Sequence, residues 1–262
     1  MTTRGLDGFA RSDATYDGVT RPVYRAGSGP AVIVMHELPG LHPGVVAFAR
    51  RVIAAGFTVW APSLVGDPGR AVTPAYSARS LARVCIAREF ATWALRTTSP
   101  IISWLRALAH DAHAACGGLG VGAIGMCLTG GFALAMAVDD VVRAPVLSQP
   151  SLPFPLTAAH RRDAGLSDAD LAAVCARDVT VLGMRFTHDV MSPGERFATL
   201  RERLGDRFVA IEIDSGPRNT HGITRLAHSV LTYHDVDAPD HPTRRAEAEV
   251  IALFRRTLVG AA

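Results

Sequence analysis

The sequence predicts an α/β protein with a mostly parallel central sheet and helices on both faces. Three observations lead there. Ala31–Met35 (AVIVM) is a short, unbroken apolar run rich in β-branched residues, the pattern of a strand buried on both sides. Short runs of this kind alternate with longer stretches of helical spacing along the chain. Residues 117–138 carry no charge and seven glycines. A stretch so rich in glycine makes a poor continuous helix and reads instead as a strand, a tight turn and a buried helix.

Taken in order, the strand Ala31–Met35 leads into a helix over 43–55, which Gly56 closes as a C-cap. Residues 57–61 (FTVWA) form the next strand. Helices follow over 78–95 and 101–115, the second opened by Ser99-Pro100. A strand at 120–125 leads into an apolar helix at 128–138, and 144–147 is strand again. Pro150, Pro153 and Pro155 make the next stretch an extended loop. A strand at 179–184, a helix at 193–204, the strand Phe208–Ile213 and an amphipathic helix at 243–258 complete the order. In such a sheet, ligands bind beyond the carboxyl ends of the strands.

Composition narrows the function. The chain has 262 residues, 48% of them hydrophobic, enough for a core without disulfides or metal, and we expect one domain over 1–262. Its formal net charge is +3 and every basic residue is Arg. The arginines are scattered and form no basic run, so nucleic-acid binding is not expected. The cysteines Cys85, Cys116, Cys127 and Cys175 form no CxxC pair and no zinc-spaced cluster. Neither a metal nor a cofactor is therefore expected, and free thiols fit a reducing cytoplasm. The first 18 residues are polar and lack the apolar core of a signal peptide. Residues 117–138 are long enough to span a bilayer, but their glycines argue against it, and no membrane segment is expected.

The chemistry centres on Gly125-Met126-Cys127-Leu128-Thr129-Gly130-Gly131, between the strand at 120–125 and the apolar helix. A sharp strand-to-helix turn can hold a nucleophile in a strained conformation, with small residues on either side letting the backbones approach. Gly125 meets that need. Thr129 departs from it, although two glycines follow at once. Cys127 would sit at a helix N-terminus, which favours a thiolate, and the Leu128 N–H would be an oxyanion donor. The alternative is a buried, inert cysteine.

On such a turn the acid and then the histidine follow the nucleophile in the chain. Asp189 lies 62 residues after Cys127, in the loop beyond the strand at 179–184, and His221 lies 32 residues further, beyond Phe208–Ile213. His221 would take the thiol proton and Asp189 would orient the imidazole. The chain holds ten histidines, so His36 and His188 compete on count; order and position favour His221. Asp178 precedes its strand, which leaves Asp214 as the stronger rival to Asp189.

Together these residues resemble the dienelactone hydrolase family, of α/β-hydrolase fold, from about Tyr16 to Leu258. The carriers are His36-Glu37-Leu38-Pro39-Gly40, the Gly-x-Cys turn at Cys127, the Asp-x-x-x-Pro loop at Asp189 and the His-Gly at His221. The resemblance implies a Cys127-His221-Asp189 triad that opens an ester or lactone through an acyl-cysteine. It implies that Glu37 contacts the resting thiol and disfavours the thiolate until substrate arrives, and that the Leu38 N–H completes the oxyanion hole. It also implies arginines that hold a substrate carboxylate, for which Arg225 and Arg88 are the candidates. The partner is then a small-molecule ester or lactone, and the chain a monomer or homodimer. Thr129 and the long helical segment at 77–109 depart from the family pattern and bear on specificity. A thioesterase or general carboxylesterase would use the same residues, and a non-catalytic small-molecule binder could be built on the same fold.

Overall fold

The computed structural model describes residues 5–86 and 99–260. Its sheet has eight strands: β1 (Ala10–Tyr16), β2 (Val19–Gly27), β3 (Ala31–Met35), β4 (Thr58–Pro62), β5 (Val121–Met126), β6 (Val142–Ser148), β7 (Val181–Phe186) and β8 (Phe208–Ile213). They lie in the order β1-β2-β4-β3-β5-β6-β7-β8. β1 and β2 form an antiparallel hairpin, and β2 meets β4 antiparallel. From β4 to β8 every pairing is parallel. The α/β expectation therefore holds.

The hairpin is an addition to the strands expected. Its turn is Asp17-Gly18, both at positive φ (50° and 75°), the geometry that tightly linked strands prefer. β1 buries none of its residues fully and reads ARSDATY, so no apolar run announced it. The Asp-Gly pair between two polar stretches was the available signal.

The helices are α1 (Pro43–Ala54), α2 (Pro74–Ile86), α3 (Pro100–Cys116), α4 (Gly130–Met136), α5 (Ala158–Arg162), α6 (Asp168–Cys175), α7 (Gly194–Leu204) and α8 (Pro242–Leu258). The helix expected over 78–95 begins earlier, at Pro74, and its second half lies outside the described residues. α1 and α8 pack on one face of the sheet through residues such as Phe48, Val52, Leu253 and Phe254. On the other face lie α3, α4, α6 and α7, through Trp104, Leu105, Phe132, Leu171 and Phe197. The fully buried AVIVM of β3 is thus covered on both sides, as its unbroken apolar run requires. Among the described residues, no helix is long and apolar enough to cross a membrane.

β3 sits between β4 and β5, and the connections from it and into β5 run over opposite faces (α1 on one, α3 on the other). Such a switch point opens a crevice at the strand ends, and Glu37 and Cys127 lie at the ends of these two strands. The proline-rich stretch after β6 is less extended than expected, since it contains α5 and α6. It is pinned by Arg196, a fully buried side chain. Its guanidinium donates to the carbonyls of Asp163 (2.7 Å), Pro150 (2.6 Å), Pro153 (2.6 Å) and His160 (3.0 Å). Four carbonyls around one rigid fork hold the start of this segment against the strand ends.

Candidate active site

The turn after β5 has the strain that the motif predicts. Cys127 lies at φ +52°, a left-handed conformation that costs a non-glycine residue about 1–3 kcal/mol and needs support from its surroundings. A Cβ on Gly125 would lie 1.9 Å from the Thr129 carbonyl oxygen, and one on Gly130 would lie 2.5 Å from Pro150 Cα. The two positions that must be small are therefore 125 and 130. Thr129 is accommodated because its side chain points elsewhere. Its hydroxyl accepts the Met126 N–H (2.9 Å) and faces the carbonyls of Met35 (3.1 Å), Met126 (3.1 Å) and His36 (3.2 Å). It stitches the end of β5 to the end of β3 from a fully buried position. The Cys127 carbonyl in turn accepts the Ser151 N–H at 3.0 Å.

Asp189 is buried in the loop beyond β7. Its Oδ1 accepts the N–H groups of Met191 (2.9 Å) and Ser192 (3.3 Å), which orients the carboxylate. Its Oδ2 meets His228 Nδ1 at 2.7 Å. With Nδ1 taken, Nε2 is the free ring nitrogen, and the Cys127 side chain lies close enough to act on the charge of the ring. The Ser151 hydroxyl lies 3.5 Å from that Nε2. Burial alone would push the His228 pKa down. The Asp189 carboxylate and the Cys127 sulfur outweigh it and raise the value to about 11, so the ring is held as imidazolium beside the sulfur.

The histidine that Asp189 meets is thus His228 and not His221. His221 is exposed; its ring packs edge-on against His241, 5.4 Å between centroids. It lines a separate cavity of about 630 Å³ with Asp214, Asn219, Arg245 and Glu249. The physical reason lies in the loop. Residues 216–223 turn across the surface, held by the Asn219 amide, which donates to the carbonyls of Gly216 and Ile223 (2.7 Å each). The chain returns over the strand ends only where Ala227, Val230 and Leu231 enter the core. The available signal was this apolar company around His228, against the turn residues around His221. Arg225, expected to hold a substrate carboxylate, is exposed in a turn where no helix begins. Arg88 lies outside the described residues.

His36 and Glu37 close the end of β3. His36 Nε2 accepts the N–H groups of Leu64 (3.0 Å) and Val65 (3.3 Å), and its Nδ1 bonds the Glu37 carbonyl at 2.8 Å. Burial pushes its pKa down to about 4, a little offset by that carbonyl. It is a neutral structural staple.

The Glu37 carboxylate, also buried, was expected against the thiol. Both oxygens are occupied otherwise. Oε1 accepts from the Thr232 hydroxyl and from His42 Nε2 (3.3 Å). Oε2 accepts from the Ser229 hydroxyl (2.7 Å) and from Gln149 Nε2 (3.2 Å). Burial disfavours its charge, but these donors, His42 first, hold its pKa below the ordinary carboxylate value. Leu38 follows Glu37 just beyond β3 and Leu128 follows Cys127 just beyond β5, and Met35 and Gly125 are neighbours across these parallel strands. Among the described residues, no group of three or more His, Cys, Asp or Glu is arranged to hold a metal ion.

An eight-stranded, mostly parallel sheet with a strained residue on a strand-to-helix turn at its switch point defines an α/β-hydrolase architecture. The sequence model of the dienelactone hydrolase family matches residues 19–258, and the chain belongs to that family. Among solved structures, the fold is shared with a Klebsiella pneumoniae protein assigned to the dienelactone hydrolases (17% identity, TM-score 0.64, covering 95% of this chain and all of that one). It is shared also with a dienelactone hydrolase-like promiscuous phosphotriesterase from metagenomic libraries (21%, 0.62, covering 95% and 98%). The Anabaena variabilis dienelactone hydrolase is a third (15%, 0.59, covering 95% and 98%). Over 55 residues the chain is 42% identical to the Escherichia coli (strain K12) hydrolase fragment YghX, a match spanning 20% of this chain and 47% of that relative. The chain thus matches about half the length of that curated relative.

Proposed function

We propose that the chain hydrolyses a carboxylic ester or lactone through a Cys127-His228-Asp189 triad. The observation that carries this reading is the pair of buried Asp189 and His228 Nδ1 at 2.7 Å, beside Cys127 on its strained turn. The Cys127 thiolate attacks the carbonyl carbon and forms a C–S bond, and the carbonyl π pair moves onto oxygen. The N–H groups of Leu128 and Leu38 are assigned to that oxyanion. As the intermediate collapses, the C–O bond to the leaving group breaks, and the His228 imidazolium gives its Nε2 proton to the departing alkoxide. An acyl-cysteine remains; from a lactone, the alcohol stays tethered to the acyl group. Water, deprotonated by neutral His228, then attacks the thioester. The carboxylic acid leaves, and the thiolate–imidazolium pair is restored. Asp189 holds the ring in place and stabilises its charge throughout.

The experiment is turnover of a p-nitrophenyl ester by Cys127→Ala, with its fold checked by circular dichroism. Loss of turnover in a folded variant is expected; turnover at the parent rate would refute the proposal. A panel of thioesters, esters and lactones, with and without a carboxylate, then distinguishes a thioesterase from an ester or lactone hydrolase.

A further inference from the structure

We propose that Glu37 is a positioning residue, whose buried carboxylate clamps the 229–232 segment and so fixes His228 between Asp189 and Cys127. The inference rests on the triad reading above. It departs from the thiol-guarding role that the family resemblance implied for this residue.

The argument is one of acceptor capacity. An ionised carboxylate only accepts, at about four lone-pair positions. All four are used, by the Thr232 and Ser229 hydroxyls, His42 Nε2 and the Gln149 amide. None is left for a thiol. The His42 donor is well defined: its Nδ1 accepts the Gly44 N–H at 3.2 Å, so the proton is on Nε2, facing Glu37. Tyr233 stacks on that ring, centroids 4.7 Å apart.

Two of the four donors closely follow the proposed base in the chain. Ser229 follows His228 directly, and Thr232 lies one turn of chain beyond. Gln149 adds a second link, since its Oε1 accepts the Val230 N–H at 3.3 Å while its Nε2 donates to Glu37. Three residues of 229–232 are thus bound to the ends of β3 and β6. Gln149 itself sits at φ +36° and its carbonyl accepts from Ser151 (3.1 Å), whose hydroxyl faces His228 Nε2. The loop that delivers His228 has no helix or strand of its own. These side-chain bonds are its scaffold, and a buried ionic acceptor makes each of them stronger than a neutral one would.

The test is Glu37→Gln, of the same shape, whose amide nitrogen would face donors instead of accepting from them. The titratable groups around His228 are Asp189, Cys127 and His234, whose Nδ1 accepts the His228 N–H at 3.4 Å. The readouts are the pH profile of Cys127 alkylation by iodoacetamide, followed by peptide mass spectrometry, and kcat and KM for a p-nitrophenyl ester. If Glu37 clamps the loop, the sulfur loses its imidazolium neighbour. Alkylation of Cys127 at pH 7 then slows, because the thiolate is the reactive form. Displacing the base lowers kcat by about 10- to 100-fold, with KM little changed. Ser229→Ala should move both readouts the same way by less, and add little on top of Glu37→Gln.

A guarding carboxylate predicts the opposite: faster alkylation at pH 7 and no effect of Ser229→Ala. That outcome, or an unchanged profile in both variants, overturns the proposal. If Glu37→Gln does not fold, Ser229→Ala and Thr232→Val make the same comparison with the carboxylate in place. Failure of the triad reading shows itself separately, as ester turnover that survives Cys127→Ala.

Discussion

Replacing Thr129 by Val keeps the shape of the side chain and removes its hydroxyl from the junction of β3 and β5. Two losses follow. The Met126 N–H, now paired at 2.9 Å with that hydroxyl, is left buried without a partner, which costs about 1–3 kcal/mol. The hydroxyl proton, shared among the carbonyls of Met35, His36 and Met126, is lost as well, at about 0.5–1.5 kcal/mol net. Together these come to about 2–4 kcal/mol, or on the order of 5–15 °C in Tm for a chain of this size. Thermal unfolding followed by circular dichroism measures it. Thr129→Ser, which retains the hydroxyl, should lie much nearer the parent. A Thr129→Val protein melting within about 1 °C of the parent would refute the claim that the hydroxyl stitches the turn at Cys127 to β3, given the size of effect expected.

Two further outcomes are expected. His228→Gln should lower ester turnover by about 10²- to 10⁴-fold, the range for losing a general acid–base, while His221→Gln leaves it near the parent value; the reverse result would reinstate His221. His36 has a native pKa near 4 against 6.5 when unperturbed. Between those values the unfolded chain binds the extra proton, so the contribution of His36 to stability is complete above pH 6.5 and is lost as pH falls towards 4. The slope from this one group is at most about 1.4 kcal/mol per pH unit. Denaturant unfolding at pH 7, 6 and 5 reads it, and stability that rises on acidification through this window would contradict the assignment of His36 as a neutral staple.

The sheet was legible wherever a strand is buried on both faces. AVIVM of β3 could be read to the residue, because burial on both faces forces an unbroken apolar run; FVAIEI of β8 could be too, although that edge strand is only partly buried. The hairpin of β1 and β2 was not, because an edge pair facing solvent needs no apolar run. The same contrast runs through the site. Cys127 was legible from its turn, because close backbone approach demands glycine at 125. Asp189 could be read from its place after a strand. The histidine that meets Asp189 could not, since chain order is satisfied equally by His221 and His228, and only the packing of Ala227, Val230 and Leu231 separates them. Thr129 looked like a departure because its hydroxyl partners lie on β3, some 93 residues away in sequence. Glu37 was placed correctly at the end of β3, but three of its four donors come from residues 112 to 195 positions further along. No local pattern announces such a cluster.

That Cys127 carries the acyl group is tested most directly by quenching the His228→Gln protein in acid during incubation with a p-nitrophenyl ester and mapping its peptides by mass spectrometry. This variant keeps the thiol while removing the base proposed to activate water. The acyl mass is expected on the peptide containing Cys127, and no acyl mass at that position in Cys127→Ala. Turnover by the parent protein with no acyl mass on Cys127 in either protein would contradict covalent catalysis at this residue.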